Sequence, residues 1–122
     1  MENLEIPRKK EIPSVLLNAE TGEGSIEGEC YDSGIILLFE RINHWLMDYA
    51  ALGKPFSLLI NVQYYNTSAS KCFPDLFEII EKINANADEQ WSVKIIASDD
   101  EDEKQEWSEM LPEFPTAIFE LQ

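Results

Sequence analysis

Residues 56–65 constrain the fold more than any other stretch of the chain. Phe56, Leu58, Ile60, Val62 and Tyr64 alternate with other residues, which is the period of a strand with one apolar face. Leu59 makes the opposite face partly apolar as well. A strand buried on both faces sits centrally in a sheet, so the rest of the chain has to supply neighbours on either side.

Those neighbours alternate with helices. Upstream, 14–17 and 25–31 read as two strands joined by Thr21-Gly22-Glu23-Gly24, turn chemistry that predicts a hairpin. From Ile35 the apolar residues Leu38, Phe39, Ile42, Trp45, Leu46 and Tyr49 recur every three or four positions, the mark of one helical face. Ser33 is placed to cap that helix, Gly53 to end it and Pro55 to prevent its restart. After the central strand, Asn66-Thr67-Ser68 opens a second helix with the stripe Ala69, Cys72, Phe73, Leu76, Ile80 and Ile83. Pro74 lacks the amide that would bond the Ser70 carbonyl. Either the helix starts at Thr67 and kinks near Pro74, or its regular part starts around Ser70. Trp91, Val93, Ile95 and Ala97 alternate as a further strand. The acidic run Asp99-Glu103 then leads a short helix over 104–111. Pro112 and Pro115 frame a loop, and 117–121 reads as a last strand. Residues 1–12, punctuated by Pro7 with Pro13 just beyond, read as a loose arm. The expectation is one α/β domain over 1–122, with a mixed, mostly parallel sheet and an antiparallel N-terminal hairpin.

Charge narrows the partners. Twenty-four acids against nine bases give a net charge of −15 over 122 residues. Phosphate backbones need clustered Lys and Arg, and the basic cluster here is only Arg8, Lys9 and Lys10, so no nucleic acid and no anionic membrane surface is expected. No run of about 18 apolar residues exists to span a bilayer, and residues 1–13 lack the apolar core of a signal peptide. The expected location is the cytoplasm. Cys30 and Cys72 make no disulfide framework and read as small buried hydrophobes.

Catalytic signals are sparse. The single histidine, His44, stands on a helix beside Trp45 with no evident nucleophile to serve. There is no Walker loop and no GxGxxG fingerprint. The acidic run lacks the ligand spacing and glycine of an EF-hand and reads as a solvated loop that caps the next helix. Trp45 and Trp91 fit the core pattern, whereas Trp107 fits either the core or a surface anchor. The chain reads as a non-enzyme without cofactor or metal. One junction stands out. At 65–71 a strand end runs into a helix start, where α/β folds place functional loops, and the hydroxyls of Thr67, Ser68 and Ser70 gather there with Lys71. Ordinary N-capping is the competing reading.

The stretch Val62-Gln63-Tyr64-Tyr65-Asn66-Thr67-Ser68-Ala69-Ser70-Lys71-Cys72 resembles the signature of the SiaC-type regulatory phosphoproteins, which carry a Tyr-Phe/Leu-Asn-Thr-Ser-Ser type motif after the central strand. Gly28-Glu29-Cys30-Tyr31, the helix around Trp45-Leu46, the acidic run and the closing strand after Pro115 agree, so that the resemblance covers residues 5–121. Two departures stand out: Asp32-Ser33-Gly34 replaces the family's usual Pro-Glu-Asn, and Pro74 is unusual. The resemblance implies a fold similar to the STAS-type anti-sigma-factor antagonists, and regulation by partner switching. A dedicated serine/threonine kinase would phosphorylate the motif threonine, here Thr67, and a PPM-type phosphatase would remove the phosphate. The unphosphorylated form would bind and control an effector, a diguanylate cyclase in some members. Asn66 would orient the turn, and Tyr65, Ser68, Ser70 and Lys71 would belong to the partner-binding surface. A constitutive STAS-like interaction module and a metal-assisted enzyme using the acidic run are the competing classes.

Overall fold

The computed structural model describes residues 1–86, 91–96, 100–114 and the backbone of 118–121. Expectations at Ala97, Asp99, Pro115 and Ala117 lie outside these. Strands β1 (Leu4–Ile6), β2 (Ser14–Asn18), β3 (Glu23–Cys30), β4 (Ser57–Tyr65), β5 (Ser92–Ile95) and β6 (Ile118–Leu121) form one sheet in the order of the chain. Pairing is antiparallel from β1 to β3 and parallel from β3 to β6. Helices α1 (Ile35–Ala50), α2 (Thr67–Asn86) and α3 (Glu101–Met110) make the three parallel crossovers. The mixed α/β sheet with its N-terminal hairpin is the expected architecture.

All three helices pack on the same face of the sheet. Val15 and Leu17 of β2, Ile26 and Cys30 of β3, Leu58, Ile60 and Val62 of β4, and Val93 and Ile95 of β5 are buried there. Phe39 of α1 meets Phe73 of α2 edge to face, with ring centroids 5.3 Å apart. Trp107 of α3 meets Phe73 at 5.0 Å. A second aromatic group, Trp45, Tyr49, Phe56 and Trp91, fills the other end of the core. Asn84 is buried and bonds both backbone groups of Trp91, accepting from its N–H at 2.7 Å and donating to its carbonyl at 3.2 Å. That pair fixes the end of α2 against the start of β5.

The hairpin turn needs its glycine. Gly22 has φ 71, and a Cβ there would stand 2.9 Å from the Pro55 carbonyl oxygen and 3.1 Å from the Tyr49 hydroxyl. The bare backbone instead accepts from the Ser57 amide at 2.9 Å, which sets β3 beside β4.

Several expectations are corrected. The N-terminal arm is not loose. Leu4–Ile6 pairs with Val15–Leu17, because β2 would otherwise present an unpaired edge, and Trp45 Nε1 donates to the Glu2 carbonyl at 2.9 Å. A strand of three residues is too short to show a period. Ser33 does not cap α1. Gly34 occupies the cap position without a side-chain bond, and the Asp32 carboxylate accepts from the Gly34 amide at 2.8 Å. The central strand is not buried on both faces: Leu59 is half-buried, because no helix of the described residues crosses to that side. Helix α2 begins at Thr67 with Pro74 inside it, so the later start at Ser70 does not occur. Helix α3 starts at Glu101, earlier than expected, because Asp100 accepts from the amides of Asp102 and Glu103. Trp107 is a core residue, 2% exposed.

Phe73 joins α1, α2, α3 and β4 through its contacts with Phe39, Trp107 and Tyr65. Phe73→Ala therefore opens a cavity that no single element can close. It is expected to cost about 3–5 kcal/mol, read as a lower urea midpoint at unchanged slope.

Candidate functional site

The candidate site lies where the parallel strands end and the helices begin. Strand β4 does not run straight into it. Residues of β3 and β4 pair in step as far as Glu29 and Gln63, but Cys30 then pairs with Tyr65. Tyr64 is the extra residue of a bulge. It takes φ 55 and lies 68% exposed, a left-handed conformation that costs a bulky residue about 1–3 kcal/mol. Strict alternation would have put Tyr64 on the helix side. The bulge puts Tyr65 there instead. The Tyr65 ring packs against Phe73 and Trp107 at 5.7 and 6.0 Å, and its hydroxyl donates to the Glu106 carboxylate of α3. Burial, then that bond and the nearby charges of Glu103 and Asp100, raise the Tyr65 hydroxyl well above its ordinary range.

Asn66 organises the next turn. Its amide nitrogen donates to the Tyr31 carbonyl at 3.1 Å, and its side-chain oxygen accepts from the Ala69 amide at 2.8 Å. Its backbone N–H donates to the Cys30 carbonyl at 3.3 Å. One residue thus ends β4, holds it to the exit of β3 and caps α2. The cap is Asn66 and not a hydroxyl residue.

Thr67 is the first residue of α2 and is exposed. Its carbonyl accepts from the Ser70 hydroxyl at 2.7 Å. Amides of a first helical turn have no partner within the helix, so this end carries partial positive charge. Ser68 and Ser70 are half-buried and Lys71 is exposed. The five residues named with Thr67 from the sequence thus run from the last residue of β4 into the start of α2, with the Tyr65 ring turned into the core. Tyr64 was not among them, although it joins Glu29, Tyr31, Tyr65, Asn66 and Glu103 in lining a cleft of about 530 Å³ beside the turn. The bulge that exposes it leaves no mark on the hydrophobic period.

Other chemistry-bearing groups lie elsewhere. His44 is exposed on α1, 3.8 Å from Asp48. Cys30 and Cys72 are buried free thiols. Burial, with Cys72 as a neighbour, pushes the Cys30 thiol up to about 12. Among the described residues, no group of three or more His, Cys, Asp or Glu is placed to hold a metal ion, and no helix is long and apolar enough to cross a membrane.

This geometry separates capping from any other role of Thr67. Asn66→Ala removes the cap and the link to Tyr31 and is expected to cost about 1–2 kcal/mol. Thr67→Ala should change stability by less than about 0.5 kcal/mol. Chemical denaturation of the two variants checks the contrast.

Known proteins share this fold over nearly its full length. SiaC of Pseudomonas aeruginosa has the same fold, with a TM-score of 0.85 at 22% identity, and the match covers 100% of both chains. A chain in the crystal structure of the diguanylate cyclase SiaD in complex with its activator SiaC, from the same organism, matches with a TM-score of 0.86 at 22% identity over 98% of each chain. An uncharacterized protein of P. aeruginosa strain UCBPP-PA14 is 28% identical over 83 residues, 67% of this chain and 66% of that relative's length. The family described as SiaC family regulatory phosphoprotein matches residues 6–122, and the chain belongs to that family.

Proposed function

We propose that this chain is a non-catalytic bacterial signalling protein whose binding to an effector is switched by reversible phosphorylation of Thr67. The carrying observation is that Thr67 is exposed at the first position of α2 while Asn66 performs the capping. Its hydroxyl is thus available to a serine/threonine kinase and, once phosphorylated, to a PPM-type phosphatase, without loss of the turn. The effector is a protein of the diguanylate cyclase class, the class of enzyme that SiaC activates in Pseudomonas aeruginosa. The unphosphorylated form binds it.

Two opposed effects set the sign of the switch. Phosphorylation adds about −1.5 to −2 charges and three acceptor oxygens. At the N-terminus of α2 that charge is favoured by roughly 0.3–1 kcal/mol, so the domain stays folded. Within a closed protein interface, an ionised group that loses its water without a cationic partner costs several kcal/mol. The second effect is larger, and phosphorylation releases the effector. Tyr65, Asn66, Ser68, Ser70 and Lys71 surround Thr67 as the docking surface. Lys71 is the nearest cation in sequence and lies in solvent.

Fragment mass spectrometry of the protein purified from its own cells, with phosphatase inhibitors present, is expected to place phosphate on Thr67. Its absence under several growth conditions would support a constitutive interaction module instead. Thr67→Ala is expected to retain the effector under conditions in which the wild type releases it, as read by affinity capture.

A further inference from the structure

The fold does not require a tyrosine at position 64. Its φ of 55 is a conformation that glycine or asparagine adopts at lower cost, and the bulge needs only an extra backbone residue. The ring gains little burial in return, being 68% exposed. Backbone strain of this kind gathers at ligand clamps and switch regions, and a rigid tyrosine ring is a frequent anchor of protein interfaces.

The cleft beside the ring has a definite chemistry. Tyr31, Tyr64, Tyr65 and Asn66 line it together with Glu29 from β3 and Glu103 from α3, and no basic residue is among them. Desolvation and then the Glu29 carboxylate raise the Tyr31 hydroxyl, which places that carboxylate among the aromatic residues. A guanidinium fits this combination. It stacks on an aromatic face, donates to carboxylates from its edges and sheds water more readily than an ammonium.

Phosphorylation decides which partner carries the guanidinium. A phosphate on Thr67 adds about −1.5 to −2 charges at an edge that already holds Glu29 and Glu103. A partner's arginine in the cleft is therefore held more tightly by the phosphorylated chain than by the unmodified one. It would retain an effector that has to leave and a kinase that has to release its product. It suits the partner that has to bind the phosphorylated form.

We infer that the Tyr64 cleft receives an arginine side chain of the PPM-type phosphatase, stacked on the Tyr64 ring and paired with Glu29 and Glu103. This rests on the reading above that such a phosphatase acts on phosphorylated Thr67. Tyr64 is then a recognition residue, and the cleft sorts the partners of one edge by charge.

The test is steady-state dephosphorylation of the full chain, phosphorylated stoichiometrically at Thr67, by the purified PPM-type phosphatase encoded in the same genome. Wild type is compared with Glu29→Gln, Tyr64→Gly and Tyr64→Phe. Glu29→Gln and Tyr64→Gly are each expected to raise KM about five- to tenfold at unchanged kcat, while Tyr64→Phe, which keeps the ring, stays within about twofold of wild type. Added salt should raise the wild-type KM more steeply than that of Glu29→Gln. Tyr64→Gly should melt no lower than wild type, since glycine relieves the strain, so its weaker recognition is not a loss of fold. Unchanged KM in both Glu29→Gln and Tyr64→Gly overturns the cleft and leaves the Thr67 switch standing. A Kd for purified diguanylate cyclase that Glu29→Gln raises equally also overturns it, by placing the cleft in the effector interface. A wild-type phosphoprotein that the phosphatase does not process overturns both the cleft and the phosphatase step of the switch.

Discussion

Among the described residues the helices cover one face of the sheet, and the rest of the structure follows from that constraint. Strand order equals chain order from β1 to β6, so each parallel crossover returns its helix to the same side. The apolar stripes of α1 and α2 are satisfied by one another and by Leu58, Ile60, Val62, Val93 and Ile95 beneath them. The opposite face keeps Ser25, Ser57, Leu59 and Lys94 around a groove of about 710 Å³. Because every helix begins at the same edge, that edge collects the strand ends, the helix N-termini and Thr67.

Within that edge, structural bonds and outward exposure fall to different residues. Asn66 and Tyr65 carry structural bonds, to Tyr31, Ala69 and Glu106. Tyr64 and Thr67 are held outward by the bulge and by the helix start. The cost of placing Tyr64 at φ 55 is offset by what the bulge achieves, namely turning the Tyr65 ring into the Phe73 and Trp107 cluster. Under the proposed switch, a residue whose side chain makes no structural bond among the described residues can be modified without unfolding what presents it.

Long, strongly periodic segments were legible in the sequence. The stripes from Ile35 to Tyr49 and from Ala69 to Ile83 describe the buried faces of α1 and α2, and the alternation from Leu58 to Val62 describes β4. The candidate turn was legible for another reason: Asn66-Thr67-Ser68 is a motif, and motifs do not depend on periodicity. What escaped was set by tertiary context. The pairing of Leu4–Ile6 exists because β2 offers an open edge. The half-exposure of Leu59 follows from the side on which the crossovers fall. The exchange of Tyr64 and Tyr65 depends on a single extra residue in the ladder, which changes no hydrophobicity at all. A hydroxyl such as that of Ser33 suits the cap of α1, whereas the bond that forms is from the Gly34 amide to the Asp32 carboxylate.

The central claim is that charge at Thr67 decides whether the effector is held. Its most direct measurement is the affinity of one purified cyclase for the unmodified chain and for the chain phosphorylated stoichiometrically at Thr67, with circular dichroism recorded on both. The account predicts tight binding of the unmodified form, a loss of at least about a hundredfold on phosphorylation, corresponding to about 2.7 kcal/mol, and identical spectra. Equal affinities for the two forms, or tighter binding of the phosphorylated one, would contradict it.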